Sequence, residues 1–332
     1  MNITTALGVP TCNKTMCPGR PHVSPALGSV VDGVLFLAGV AGHALAFAVL
    51  LKHKACRRGT VLLLLNLSLA DTLQLACVPF AAVAAATQAW LFGTVLCKLL
   101  GFMGVASSSA SAFTLVALAG QRYLAVAHPW KAYRFQLVWH PPTIAVAIWA
   151  PAMALAVPQL VYRDACAGLS CFVFLAGTSQ GAYAVALFLC AFAVPLVAIS
   201  ILHAAIVGHL CSRKPATQPR HLDKYNARMA RVLLLLVLAF VTCWLPSYAL
   251  LLKGLDGTHG ALPALCWFLT SASSVANPAI YIFTSRQFRS DARALLLGGC
   301  RKRLRNKVRP VTLDTERPVK WATDSATSAG QH

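Results

Sequence analysis

The sequence predicts an all-α membrane protein, a seven-transmembrane helix bundle with a short amphipathic juxtamembrane helix. Three observations carry that reading. Of 332 residues, 58% are hydrophobic and 11% charged, against about 45–50% and about 25% in an average soluble domain. Seven apolar runs recur, at residues 28–51, 61–86, 95–127, 139–161, 178–211, 229–252 and 261–284, each at least as long as the ~20 residues that cross a hydrocarbon core. Lys and Arg are sorted by side: 24 of the 29 lie in alternate connections and the tail, leaving Lys14, Arg20, Lys98, Arg163 and Lys253 opposite.

Taken in chain order, residues 1–27 lack the charged-then-apolar layout of a cleavable signal peptide and form an extracellular amino terminus. Asn2-Ile3-Thr4 and Asn13-Lys14-Thr15 are acceptor patterns for N-glycosylation on that side. Asn66-Leu67-Ser68 has the same pattern but lies inside the second run, beyond a transferase's reach. Residues 28–284 make the bundle. The runs are too long for β-barrel strands and do not alternate in polarity. Pro79, Pro158, Pro195, Pro246 and Pro278 inside them are tolerated in lipid, where neighbouring helices satisfy the freed backbone groups. The basic connections face the cytosol, so the chain is a multi-pass plasma-membrane protein with its amino terminus outside and its tail inside.

Residues 285–300 interleave Phe288, Leu295, Leu296 and Leu297 with Arg286, Arg289, Asp291 and Arg293. That suits an amphipathic helix lying on the inner leaflet. Cys300 is a palmitoylation candidate. In the cytoplasmic tail, 301–332, the run Arg301-Lys302-Arg303-Leu304-Arg305 suits anionic lipid. A net charge of +20 first raises nucleic acid, but basic residues set between apolar runs are topological, so no nucleic-acid partner is expected.

Outward-facing cysteines are the ones able to form stable disulfides. Cys97 lies at the outer start of the third run, and Cys166 and Cys171 follow the fourth. A Cys97–Cys171 bond would tie that loop over the bundle; Cys97–Cys166 is the alternative. Cys12, Cys17 and Cys266 are further outward candidates. Ionisable groups in spans suggest function, and Asp71 is read as the only acid deep in any run. Ser107, Ser108, Ser109, Ser111, Ser271, Ser273, Ser274 and Asn277 can partner it. The expectation is a cation or water site formed by Asp71, Ser111, Ser273 and Asn277, with sodium as the candidate ion and no other cofactor or metal.

These residues, with others taken one per span, resemble the motifs of rhodopsin-like (class A) G-protein-coupled receptors over roughly residues 28–300. Asn66 and Asp71 match the second-span signature. Gln121-Arg122-Tyr123 stands where the family has Asp-Arg-Tyr, and Trp149 and Pro195 resemble the fourth- and fifth-span markers. Phe240, Cys243-Trp244-Leu245-Pro246 and Asn277-Pro278-Ala279-Ile280-Tyr281 resemble the sixth- and seventh-span motifs. Pro246 removes an intrahelical bond and kinks its helix, so a change above it can swing the inner end. The resemblance implies an activation switch of Phe240, Trp244, Pro246, Asn277, Pro278 and Tyr281. It also implies coupling to a heterotrimeric G protein through Gln121, Arg122 and Tyr123, with arrestin, receptor kinases and membrane lipid as further partners.

Four positions depart from the pattern. His43 replaces an Asn, Gln121 an acid, His203 a Tyr, and Ala112 a bulky aliphatic. Losing the acid beside Arg122 is expected to loosen the inactive state and raise basal signalling; poor coupling is the opposite outcome.

Several ligands are discounted. Retinal needs a Schiff-base Lys in the seventh span, and 261–284 contains none; amines need an acid that no residue between Cys97 and Gln121 supplies. The stretch Trp90-Leu91-Phe92-Gly93-Thr94-Val95-Leu96-Cys97-Lys98 resembles the first outer loop of peptide receptors of the galanin, allatostatin and kisspeptin type. An extracellular peptide is therefore the expected ligand. The alternatives are an orphan receptor with a non-peptide ligand or constitutive activity, and a transporter. Internal repeats of the transporter kind are absent. No phosphate loop, metal cluster or nucleophile–base set points to an enzyme, and no catalytic residue is assigned.

Overall fold

In this computed structural model the described residues are 25–52, 59–132, 141–166, 170–173, 178–212, 220–253, 262–284 and 288–295. Lipid offers no partner for backbone polar groups, so each span closes its own hydrogen bonds as a helix. The first span is α1 (Pro25–Lys52), and the second is α2 (Gly59–Leu75) continued by α3 (Val78–Thr87). The third is α4 (Gly93–Ala127) and the fourth α5 (Pro141–Tyr162). Two strands follow, β1 (Arg163–Cys166) and β2 (Ser170–Val173). The fifth span joins α6 (Thr178–Phe188), a π turn (Leu189–Ala193) and α7 (Val194–Ser212). α8 (Arg220–Lys253) and α9 (Leu262–Thr284) are the sixth and seventh.

Two predicted runs are interrupted, both at proline. The second breaks at residues 76–77, two positions before Pro79, whose missing N–H leaves the turn's carbonyls unanswered. The Cys77 amide tightens instead onto the Gln74 carbonyl at 3.1 Å. The fifth widens into the π turn just before Pro195, with the Val194 amide reaching the Leu189 carbonyl. That extra residue takes up the space the proline ring needs. The sixth helix also starts earlier than its apolar run, at Arg220.

Six of these spans are long and apolar enough to cross a membrane by composition alone. The remaining helix, Leu262–Thr284, carries Thr270, Ser271, Ser273, Ser274 and Asn277. It turns Thr270, Ser271 and Ser274 inward, where they are buried. Outward faces are apolar: Leu37 is 68% exposed, Val197 57% and Phe283 79%. Such faces suit acyl chains and not water. Inside, small residues such as Ala106, Ala110, Ala119, Ala152 and Ala156 are buried, letting helices approach closely.

The strands correct the all-helical expectation locally: they pair antiparallel with Arg163 opposite Val173 and Ala165 opposite Cys171. Of the predicted amphipathic helix at 285–300, residues 288–295 are described and helical. Phe288 and Ala292, one helical turn apart, are buried. The Arg289 guanidinium donates to the Ile282 and Phe283 carbonyls, answering acceptors that α9 leaves open at its end.

Candidate functional site

Two cavities of the bundle share a wall. The outer one measures about 710 Å³ and is lined from the second, third, fifth, sixth and seventh spans and the hairpin, a volume within the range of ligand sites. Its wall includes Trp90, Trp244, Tyr248 and Trp267. Trp90 is set by a tight entry loop. Its indole donates to the Gly93 carbonyl at 2.8 Å, and its ring meets Phe92 edge-on at 5.3 Å. Gly93 sits at φ 71°, a left-handed conformation that a side chain would strain.

The hairpin is anchored to this cavity by a Cys97–Cys171 disulfide with Cα atoms 5.7 Å apart. Cys166, the alternative partner, is described as the backbone partner of Ser170 in β1. Cys266, an outward candidate from sequence, is instead a free buried thiol in the seventh span. Arg163 opens β1 and turns its side chain into the cavity, so it is not the rim residue that its loop position suggests. Its Nε donates to Cys171 Sγ at 3.1 Å, Nη1 to Gln159 Oε1 at 3.0 Å, and Nη2 to the Cys171 carbonyl at 3.3 Å. Enclosure by protein pushes the guanidinium's pKa below its ordinary value.

Trp244 lines the outer cavity and a second, inner one. It belongs to an aromatic column. Centroids lie 6.2 Å apart for Trp244–Tyr248 and for Phe240–Trp244, and Phe192 stacks on Phe240 at 5.7 Å. Phe192 and Tyr248 are 5.1 Å apart. The column therefore ties the sixth span on both sides of Pro246 to the fifth span at its π turn. Gln74 and Ser108 complete the shared wall, and Ser107 Oγ holds Gln74 Oε1 at 2.8 Å.

The inner cavity measures about 20 Å³, room for a single water or small ion. Asp71 is its only charged lining residue among those described. Ser111 Oγ donates to Asp71 Oδ1 at 3.0 Å, and Asn277 Nδ2 donates to Oδ2 at 2.6 Å. Ser273 lines the cavity while its hydroxyl donates to the Thr270 carbonyl at 2.7 Å. All four residues expected of a cation site thus meet here. A carboxylate, two hydroxyls and an amide carbonyl are hard oxygen donors of the kind alkali and alkaline-earth ions take.

His43 does not join this network. Its Nε2 donates to the Ser274 carbonyl at 2.7 Å, tying the first span to the seventh. The sequence reading set Asp71 apart as the only acid deep in a run and passed over a second buried acid, Asp32, near the outer end of the first. Asp32 is 1% exposed in α1, and its Oδ1 accepts from Trp267 Nε1 at 3.1 Å. The signal was in plain view, an acid within the first apolar run, but its nearness to the run's outer end disguised its burial.

At the inner end, Gln121 turns away from Arg122: its Oε1 accepts from Thr60 Oγ1 at 2.9 Å. Arg122 meets no carboxylate among the described residues. Tyr123 packs beside a cluster of Val126, Ile206 and Ala230, which closes the third, fifth and sixth spans together. Pro278 and Tyr281 are buried in α9, and the Tyr281 ring lies 6.2 Å from Phe288. Asn66 joins three spans, donating to Thr114 Oγ1 at 2.7 Å and accepting from Trp149 Nε1 at 2.9 Å. Sequence marked Asn66 and Trp149 separately and missed their bond, because 83 residues separate them. Asn2, Asn13 and Cys300 lie outside the described residues.

A family model described as "7 transmembrane receptor (rhodopsin family)" matches residues 42–281. Rat somatostatin receptor type 4 is 31% identical over 284 residues, covering 81% of this chain and 72% of the relative. Rat galanin receptor type 2 is 29% identical, covering 80% and 74%, and human galanin receptor type 2 is 27% identical, covering 86% and 80%.

Proposed function

Because the chain belongs to the rhodopsin family of seven-transmembrane receptors, we propose that it binds an extracellular peptide and activates heterotrimeric G proteins across the plasma membrane. The amino terminus lies outside the cell, in keeping with the basic inner connections. Relatives named for somatostatin and galanin support the peptide class. The carrying observation is the placement of Trp244, which faces the outer cavity and the Asp71 cavity at once, two residues before Pro246. A group entering from outside presses on a ring already at the kink. The ring's shift alters both the column to the fifth span and the inner closure around Val126, Ile206 and Ala230.

Expression in cells with readouts for each G-protein class, against a library of secreted peptides, tests this reading. Dose-dependent activation by a peptide is expected; activation by small metabolites alone overturns it.

Sodium in the inner cavity belongs to the same proposal. Asp71, Ser111, Ser273 and Asn277 would hold it, and when bound it supplies the counter-charge that this lining lacks. Replacing sodium by N-methylglucamine is expected to raise agonist affinity several-fold in wild type and to leave Asp71→Asn unmoved. A wild type indifferent to sodium removes the ion and leaves a water site.

Gln121 and Arg122 set the basal level. With Gln121 bonded to Thr60, no acid among the described residues restrains the guanidinium of Arg122, and ligand-free signalling is expected. Gln121→Asp brings a shorter, charged side chain that exchanges Thr60 for Arg122. Its ligand-free second-messenger output should fall at least two-fold at equal surface level. Equal output sinks the idea.

A further inference from the structure

Arg163 is the only charged side chain among the described residues lining the outer cavity. A guanidinium offers five N–H donors. Three are engaged by Gln159, the Cys171 carbonyl and Cys171 Sγ. None of these partners carries a negative charge, and among the described residues one donor on each terminal nitrogen is left over.

Two acids on the outer side, among the described residues, are engaged elsewhere. Asp164 accepts from Thr94 Oγ1 and from the Ala165 amide, both at 2.7 Å, and Asp32 is bonded to Trp267. Lys98, another basic residue on the outer side, reaches the Val161 carbonyl at 3.5 Å. The fold also makes room for the guanidinium. At Gly101, in the third span, a β-carbon would stand 2.3 Å from Arg163 Cδ and 2.8 Å from its Nε. A larger residue there would require the Arg163 side chain to shift.

A charge enclosed without a counter-ion is unfavourable unless a partner arrives. A planar fork with donors to spare recognises carboxylates in paired geometry. We propose that Arg163 is a ligand-anchoring residue, and that the outer cavity takes a peptide presenting a carboxylate to it, with aromatic or aliphatic groups set among Trp90, Trp244, Tyr248 and Trp267. The proposal rests on the peptide-receptor reading and adds the chemistry that selects the ligand. Two sources supply such a group, a free carboxy terminus and an Asp or Glu side chain.

The test uses full-length receptor in lipid nanodiscs and a set of short synthetic peptides ending in aromatic residues. Each is made as free acid and carboxamide, and with internal Asp or Glu against Asn or Gln; aryl and acyl carboxylic acids form a non-peptide arm. Binding is read by thermal shift and by competition on wild type, R163Q and R163K. Acid forms are expected to bind wild type about 30-fold or more tightly than neutral counterparts, the loss typical of an unpaired enclosed charge. R163Q abolishes the preference and R163K keeps part of it, as a point charge lacking the fork. The pair that discriminates, terminal or internal, identifies the source of the carboxylate.

Equal binding of acids and amides by wild type, or a preference that survives R163Q, overturns the anchor while leaving a peptide receptor in place. Arg163-dependent binding confined to the non-peptide acids keeps the anchor and overturns the peptide. No binding by any compound overturns the anchor. Should R163Q fail to reach the membrane, the acid-to-amide ratio on wild type and its drop in R163K decide.

Discussion

Cys97→Ser is expected to destabilise the protein by about 4 kcal/mol, from the loop-closure entropy of a bridge spanning 74 residues. The effect on the outer cavity exceeds that figure. Cys171 supplies two of the three groups that hold Arg163, its sulfur and its carbonyl, and it sits opposite Ala165 in the hairpin. Freed from Cys97, β2 loses its tie to the third span and Arg163 loses its frame. Surface level measured on intact cells should fall by more than half. Receptor that does arrive should lose most of its agonist binding. The double variant Cys97→Ser/Cys171→Ser should behave as either single one, since both remove one bond. Normal surface level and affinity in all three would show that the hairpin holds itself over the cavity without the bridge.

Trp244→Ala should abolish agonist-driven signalling at surface levels where wild type responds fully. The indole is the shared wall of the two cavities and a link in the chain from Tyr248 to Phe240. Removing it merges a mostly apolar chamber with one containing a carboxylate and takes the load from the kink at Pro246. Large-to-small changes at packed aromatics cost about 3–5 kcal/mol, so a lower melting temperature is expected as well. Trp244→Phe separates the two effects. It keeps a ring in the column, so stability should recover most of the way while coupling recovers only in part. Full signalling by the alanine variant at matched surface level would mean that the sixth span is moved by some other contact.

The bundle was legible because lipid imposes one simple demand, about 20 apolar residues per crossing. Over their described residues all seven runs are helical, the second apart from its break at residues 76–77. Their boundaries were less legible where proline intervenes. Pro79 and Pro195 lie in unbroken apolar sequence, and hydropathy does not reveal that one breaks its helix while the other widens it. The site was legible as a set of residues: Asp71, Ser111, Ser273, Asn277 and Trp244 are polar or bulky exceptions in apolar surroundings. Their arrangement was not. That Ser273 bonds its own helix while Ser111 bonds Asp71 depends on helix rotation. Gln121 was read against Arg122, its neighbour in sequence, yet successive residues on a helix point in different directions, and Thr60 from another span is its partner.

By itself, the sequence determined the number of crossings and carried the motifs by which the chain resembles its family, since these follow from hydropathy and local order along the chain. The tertiary structure alone decided that Arg163 points inward, that Asp32 is buried and that Trp244 stands between two chambers. Each depends on distances between residues far apart in the chain, set by how helices rotate and pack once the membrane has made them helices.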